Sequence, residues 1–120
     1  AYIVKDDLCT GNRFFQQMVE KSENLVEAIA DRYTNRLICP AKHSGIRSRG
    51  EALIKMVEES NAEGVLFIYL KFCDPHGFDY PYLKEMLDEK GIPSFLYEIE
   101  DQLAAAGQFQ TRCEAFVEML

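Results

Sequence analysis

The chain reads as an α/β fold: a layered domain with a mainly parallel sheet. Three observations predict it. The run Val65-Leu66-Phe67-Ile68-Tyr69-Leu70 is apolar without polar alternation, the mark of a strand covered on both faces. Strand candidates alternate with helical segments of about ten or more residues, which calls for crossover connections and parallel pairing. The 120 residues are 48% hydrophobic, one domain's worth of chain with material for a core.

The elements follow in order. Residues 2–5, opening with Tyr2-Ile3-Val4, read as a first strand, ended by the turn Asp6-Asp7-Leu8-Cys9-Thr10-Gly11. Residues 12–21 and 22–34 read as helices. Phe14, Phe15 and Met18 form the apolar stripe of the first, and Leu25, Ile29 and Tyr33 that of the second, with Ser22 as N-cap. Residues 35–48 are irregular, with Pro40 and Gly45. Residues 49–60 form an amphipathic helix with Leu53, Met56 and Val57 inward, leading into the central strand at 64–70. After Cys73-Asp74-Pro75-His76-Gly77, residues 80–90 are helical, with Pro81 in the first turn and Gly91 as the stop. Ile92-Pro93 feeds a strand over Ser94–Ile99, and a loop through Gly107 opens the last helix, 108–120. The layering this implies is three-layer, flavodoxin-like or Rossmann-like, with strands at 1–5, 64–70 and 94–99 and helices on both faces. Strand order is not legible.

Thirteen Lys and Arg against twenty Asp and Glu leave a net charge of −7, which argues against nucleic acid. No apolar run approaches the roughly eighteen residues of a membrane span. No basic region precedes an apolar core at the N-terminus. The chain opens on Ala1 and runs directly into apolar residues, as a piece of a longer polypeptide would. Its cysteines, Cys9, Cys39, Cys73 and Cys113, form no CxxC, and reduced thiols in a cytoplasmic protein are expected.

Three segments carry candidate chemistry. Cys73 follows the central strand, at the carboxyl end where open α/β sheets place ligands. A thiolate there can hold a soft metal or act as a nucleophile, and a buried structural thiol is the alternative. His76 is either a proton carrier or a loop residue bonded to a carbonyl. Glu98 and Glu100 end the next strand and share the rim with Cys73. Gly107 can bring backbone close to a ligand, with Gln108, Thr111 and Arg112 on the first turn and a half of the helix behind it. The alternative is an ordinary helix start with a solvated Arg112, or Arg112 as salt-bridge partner of the acidic rim. Asp6 and Asp7 follow the first strand and suit either a metal, a substrate or a plain turn. Cys39-Pro40-Ala41-Lys42-His43 is a polar loop with a weaker possible ligand pair, and Cys113 reads as core. On the residues alone Cys73, Asp7, Glu98 and Gln108 are expected at one edge of the sheet.

Asp-Asp-Leu-Cys-Thr-Gly at 6–11, Leu-Lys-Phe-Cys-Asp-Pro-His at 70–76, and Glu98 followed by Gly-Gln-Phe-Gln-Thr-Arg-Cys-Glu-Ala-Phe at 107–116 together resemble the component D family of 2-hydroxyacyl-CoA dehydratases, which includes benzoyl-CoA reductase subunits. The resemblance spans essentially the whole chain and implies the C-terminal domain, residues 1–120, of a subunit about three times as long. It implies a [4Fe–4S] cluster held by three cysteines, of which Cys73 matches the last and Cys9 matches none. It implies a homologous second subunit, an ATP-dependent iron–sulfur activator that delivers an electron, and an acyl-CoA substrate. The implied reaction is radical dehydration of an (R)-2-hydroxyacyl-CoA to the 2-enoyl-CoA, a hydro-lyase activity of anaerobic metabolism. Asp7, His76, Glu98, Gln108, Thr111 and Arg112 are the substrate-side candidates.

Other members of the same fold leave alternatives: a benzoyl-CoA-reductase-type subunit, an electron-transfer subunit that never meets substrate, or a double-cubane cluster protein. A flavodoxin-like binding module is disfavoured, because no phosphate loop follows the first strand. Holding one ligand of three, the chain alone is expected to be inactive and to bind no cluster.

Overall fold

A computed structural model describes residues 1–35, 39, 45–100 and 106–120. In chain order the elements are α1 (Asn12–Phe15), α2 (Leu25–Asn35), α3 (Ile46–Ser60), β1 (Val65–Leu70), α4 (Asp74–Glu89), β2 (Ser94–Ile99) and α5 (Ala106–Glu118). The fold class is α/β. β1 and β2 pair in parallel with Val65 opposite Ser94 and Leu70 opposite Ile99, and α4 makes the crossover.

β1 forms where a β-branched and aromatic run offers two apolar faces, and β2 where Phe95, Tyr97 and Ile99 line one face. Phe67 and Tyr69 meet Tyr80 of α4 at ring separations of 5.2 and 5.7 Å. On the alternate set of positions, Phe95 and Tyr97 meet Phe116 and Phe109 of α5 at 5.8 and 4.7 Å. A helix therefore lies against each face. Coverage is less complete than the run implies, since Ile68 and Leu70 stay 39% and 60% exposed. Val57, Phe67, Leu87, Tyr97 and Phe116 form the core, with Leu87 fully enclosed.

The α4 C-terminus closes as expected. Gly91 takes φ +67°, and Gly91 and Ile92 N–H groups donate to Asp88 and Leu87 carbonyls at 2.9 Å each. Its start differs. Residues 74–79 belong to the helix, because Asp74 and Pro75 suit a first turn as well as a loop. Pro81 thus sits inside the helix, and the carbonyl it leaves without an amide partner belongs to exposed Gly77, open to water. α3 begins at Ile46 and α5 at Ala106, slightly earlier than the periodicity placed them.

The N-terminal third departs most. Residues 2–5 are not a strand; Tyr2 and Ile3 are 87% and 85% exposed, and among the described residues no neighbouring strand takes their hydrogen bonds. α1 stops at Phe15. Past it, the Arg32 guanidinium takes the Phe14 carbonyl and, at 2.7 Å, the Gln17 carbonyl, so a side chain replaces the helical amides. The α2 cap is Asn24, whose Oδ1 accepts the Glu27 N–H at 3.2 Å; Ser22 instead accepts the Asn24 N–H at 3.1 Å. The stripe Leu25, Ile29 and Tyr33 faces outward, and Ala28 is the one buried residue of this helix.

α3 and α4 are joined by a buried ion pair. Arg49 Nη2 lies 2.7 Å from Asp79 Oδ1 and 2.6 Å from Oδ2, and the side chains are 6% and 11% exposed. Gly50 lets the helices close at this level, since a Cβ there would meet the Met86 thioether. Removing one partner strands the other charge in the interior. Asp79→Ala is expected to cost about 3–5 kcal/mol in equilibrium urea unfolding. The double change Arg49→Met with Asp79→Leu should cost much less, because no uncompensated charge remains.

Candidate functional site

The site is built where β1 becomes α4. Cys73 N–H donates to the Leu70 carbonyl at 3.0 Å, Asp74 N–H to Phe72 at 3.1 Å, and Gly77 N–H to Cys73 at 2.9 Å. Cys73 is the N-cap residue of α4, half-buried, at the carboxyl end of the strand. Phe72 ahead of it takes the left-handed conformation, φ +67°, and is 91% exposed.

Cys73 and Glu98 line one depression of about 220 Å³, with Tyr69, Leu70, Phe72 and Phe78 among its walls. A neighbouring one is lined by Leu70, Lys71, Phe72, Ile99 and Glu100. Lys71 Nζ pairs with Glu100 across the strand ends, each holding the other charged: Lys71 is raised and Glu100 lowered by their hydrogen bond. Among the described residues the cation paired with the acidic rim is Lys71 rather than Arg112.

His76, in the first turn of α4, packs its ring on Tyr69 at 5.2 Å. Burial first, then the Arg13 charge, holds its imidazole below the ordinary value, with Arg49 adding to the shift and Asp79 and Asp7 opposing it. Tyr69 is pushed far upward by burial, then by the Asp79 charge, Tyr80 and Cys73, so its phenol remains a protonated donor. Asp7 reaches this cluster through Arg13, whose Nε donates to Asp7 Oδ1 at 2.9 Å and whose Nη1 lies 3.6 Å from Cys9 Sγ. Asp6 shapes the turn, accepting the Leu8 and Asn12 N–H groups at 3.1 and 2.8 Å, and is lowered by them, Asn12 first.

The structure therefore brings together Cys73 and Glu98, and places Asp7 and His76 within electrostatic reach of each other. Gln108, Thr111 and Arg112 are exposed on α5, which meets the sheet through Phe109 and Phe116. Thr111 Oγ1 is spent on the Gly107 carbonyl at 2.9 Å. Gly107 lies inside α5 rather than opening it. Cys113 is half-buried and pushed up by burial. Of the Cys39 loop only Cys39 is described; Pro40, Ala41, Lys42 and His43 lie outside the described residues, as does Asp101. Tyr69, Arg13, Arg49 and Asp79 were missed by sequence reasoning. Tyr69 alone had a signal there, as the second-last residue of the strand that ends at the site.

Among the described residues no three His, Cys, Asp or Glu side chains converge on a common point. The donor set suits one thiolate of a centre completed by residues from elsewhere.

What these features define is a class: an α/β domain presenting a cysteine thiol and an acidic residue at the carboxyl rim of a parallel sheet. Residues 1–120 match the family model described as 2-hydroxyglutaryl-CoA dehydratase, D-component, and the chain belongs to that family. It is 32% identical over 118 residues to the (R)-phenyllactyl-CoA dehydratase beta subunit of Clostridium sporogenes, covering 98% of this chain and 31% of the relative. It is 30% identical over 119 residues to lactoyl-CoA dehydratase subunit beta of Anaerotignum propionicum, covering 98% and 32%. It is 32% identical over 122 residues to (R)-2-hydroxyglutaryl-CoA dehydratase subunit beta of Acidaminococcus fermentans, again covering 98% and 32%. The chain spans about a third of the length of these relatives. Among the described residues no helix is long and apolar enough to cross a membrane.

The His76 environment has a measurable consequence. Its folded-state pKa lies below the unfolded value of about 6.5, so between the two the unfolded chain binds more protons. The contribution to stability is present above pH of about 6.5 and declines as pH falls through that window. Proton NMR should show His76 titrating below an ordinary histidine. Arg13→Gln should move it upward, because it removes a cation and frees the Asp7 charge.

Proposed function

We propose that this chain is the C-terminal, iron-holding part of a 2-hydroxyacyl-CoA dehydratase subunit, with Cys73 as its ligand to a [4Fe–4S] cluster shared with upstream domains. The observation that carries the proposal is the place of Cys73: half-buried at the carboxyl end of a parallel strand, in a depression also lined by Glu98, within a chain of this family. The relatives act, by their names, on phenyllactyl-, lactoyl- and 2-hydroxyglutaryl-CoA, which supports an (R)-2-hydroxyacyl-CoA as substrate. Iron–sulfur clusters take thiolate ligands, and such a cluster supplies one-electron chemistry when bound.

The chain's own residues have separable roles in this proposal. Cys73 binds the iron. Tyr69 holds a phenolic proton facing the same depression. His76, kept neutral by burial and by Arg13, accepts or passes a proton beside it. Glu98 and Asp7 place carboxylates at the rim and behind it, and Gln108, Thr111 and Arg112 of α5 contact the acyl-CoA. The partners are a homologous second subunit and an ATP-dependent iron–sulfur activator, all in the cytoplasm, and the reaction is elimination of water to the 2-enoyl-CoA.

The test replaces Cys73 by Ser in the full-length subunit, purified with its partner under anoxic conditions. Serine offers a hard, weakly acidic oxygen in place of a thiolate. Iron per subunit and the visible absorbance of the cluster are expected to fall to a small fraction of the unmodified protein. Unchanged iron and colour would remove Cys73 from the site. Cys9→Ser should leave both intact, because that exposed thiol lies against Arg13.

A further inference from the structure

Two non-glycine residues among those described have positive φ: Asn61 at 50° and Phe72 at 67°. Asn61 caps α3, where asparagine is favoured. Phe72 is a bulky residue in a region that bulky residues avoid, and such outliers gather at ligand clamps and active sites. The turn's hydrogen bonds, Cys73 N–H to Leu70 and Asp74 N–H to the Phe72 carbonyl, hold the backbone there, but the ring itself gains little packing in return, being 91% exposed. Among the described residues its ring meets the Lys71 ammonium, 5.8 Å from the ring centre, and Lys71 is itself held by Glu100. The left-handed backbone keeps the ring on the rim, directly ahead of Cys73. There Phe72 and Leu70 form the wall common to both depressions, and exposed Phe78 lines the one that contains Cys73.

We propose that Phe72 is a screening residue, the ring that covers the metal centre bound at Cys73 and keeps water from it. This rests on the assignment of Cys73 as a ligand. The apolar shell around a metal site governs water access and potential, and an aromatic ring left unburied by its own chain is available for that shell.

The experiment uses the full-length subunit with its partner, prepared anoxically, as the unmodified protein and as Phe72→Gly, Phe72→Leu and Cys73→Ser. Glycine adopts this φ without strain, so Phe72→Gly should assemble with full iron and melt at the same or a higher temperature. Iron release to a hydrophilic chelator should nevertheless be about tenfold faster or more, and the reduction potential should shift. Phe72→Leu, still apolar, should release iron at close to the unmodified rate. A purely structural role for Phe72 would leave release unchanged in the glycine variant, and that result overturns the proposal. The Cys73→Ser arm separates the two claims. Iron lost from it alongside unchanged release in Phe72→Gly removes only the screen, whereas iron retained in it removes the ligand assignment and the screen with it.

Discussion

The hydrogen bond from the Cys73 amide to the Leu70 carbonyl, 3.0 Å long, is the constraint on which the rest depends. It turns the chain from β1 into α4 through Lys71, Phe72 and Cys73, with the left-handed Phe72 taking the bend. Because the turn is this short, the first residues of α4 lie at the carboxyl edge of the sheet. Cys73, Asp74 and His76 are there for that reason. A longer loop would add conformational freedom and release the thiol from the rim.

Two further contacts hold α4 in register once the turn has set its direction. The ring cluster of Phe67, Tyr69, Tyr80 and His76 fastens the N-terminal half of the helix to β1. The Arg49–Asp79 pair fastens the same half to α3. A buried pair adds little net stability over an apolar substitute, but it strongly disfavours any packing that separates the charges. Here it couples α3 to the helix that begins at the candidate ligand. Asp79 also acts on Tyr69 and His76, so one carboxylate contributes to both the packing and the protonation of the site.

What could be seen beforehand follows from the range of the interactions involved. β2 has the boundaries the sequence suggests, and β1 starts one residue later than the 64–70 expected, because an apolar run ended by turn residues is a local signal. Cys73 and Glu98 at one rim follow from the parallel-sheet rule alone. The start of α4 was obscured because Asp74-Pro75-His76-Gly77 suits a turn and a first helical turn equally. Residues 2–5 have strand composition, but a strand also needs a neighbour, which composition does not report. Leu25, Ile29 and Tyr33 keep helical spacing whether the stripe meets a core or not. Arg49 and Asp79 lie thirty positions apart, and Arg13 reaches the site only through the folding of its turn, so neither relation leaves a pattern in the sequence.

The most direct measurement is iron-edge anomalous diffraction from crystals of the full-length subunit with its partner, grown without oxygen. An anomalous peak at bonding distance from Cys73 Sγ, with β1 still running into α4 through a left-handed Phe72, is the expected result. Iron bound elsewhere, with the Cys73 thiol unligated or turned into the core, would contradict the assignment of this strand end as the metal-holding edge.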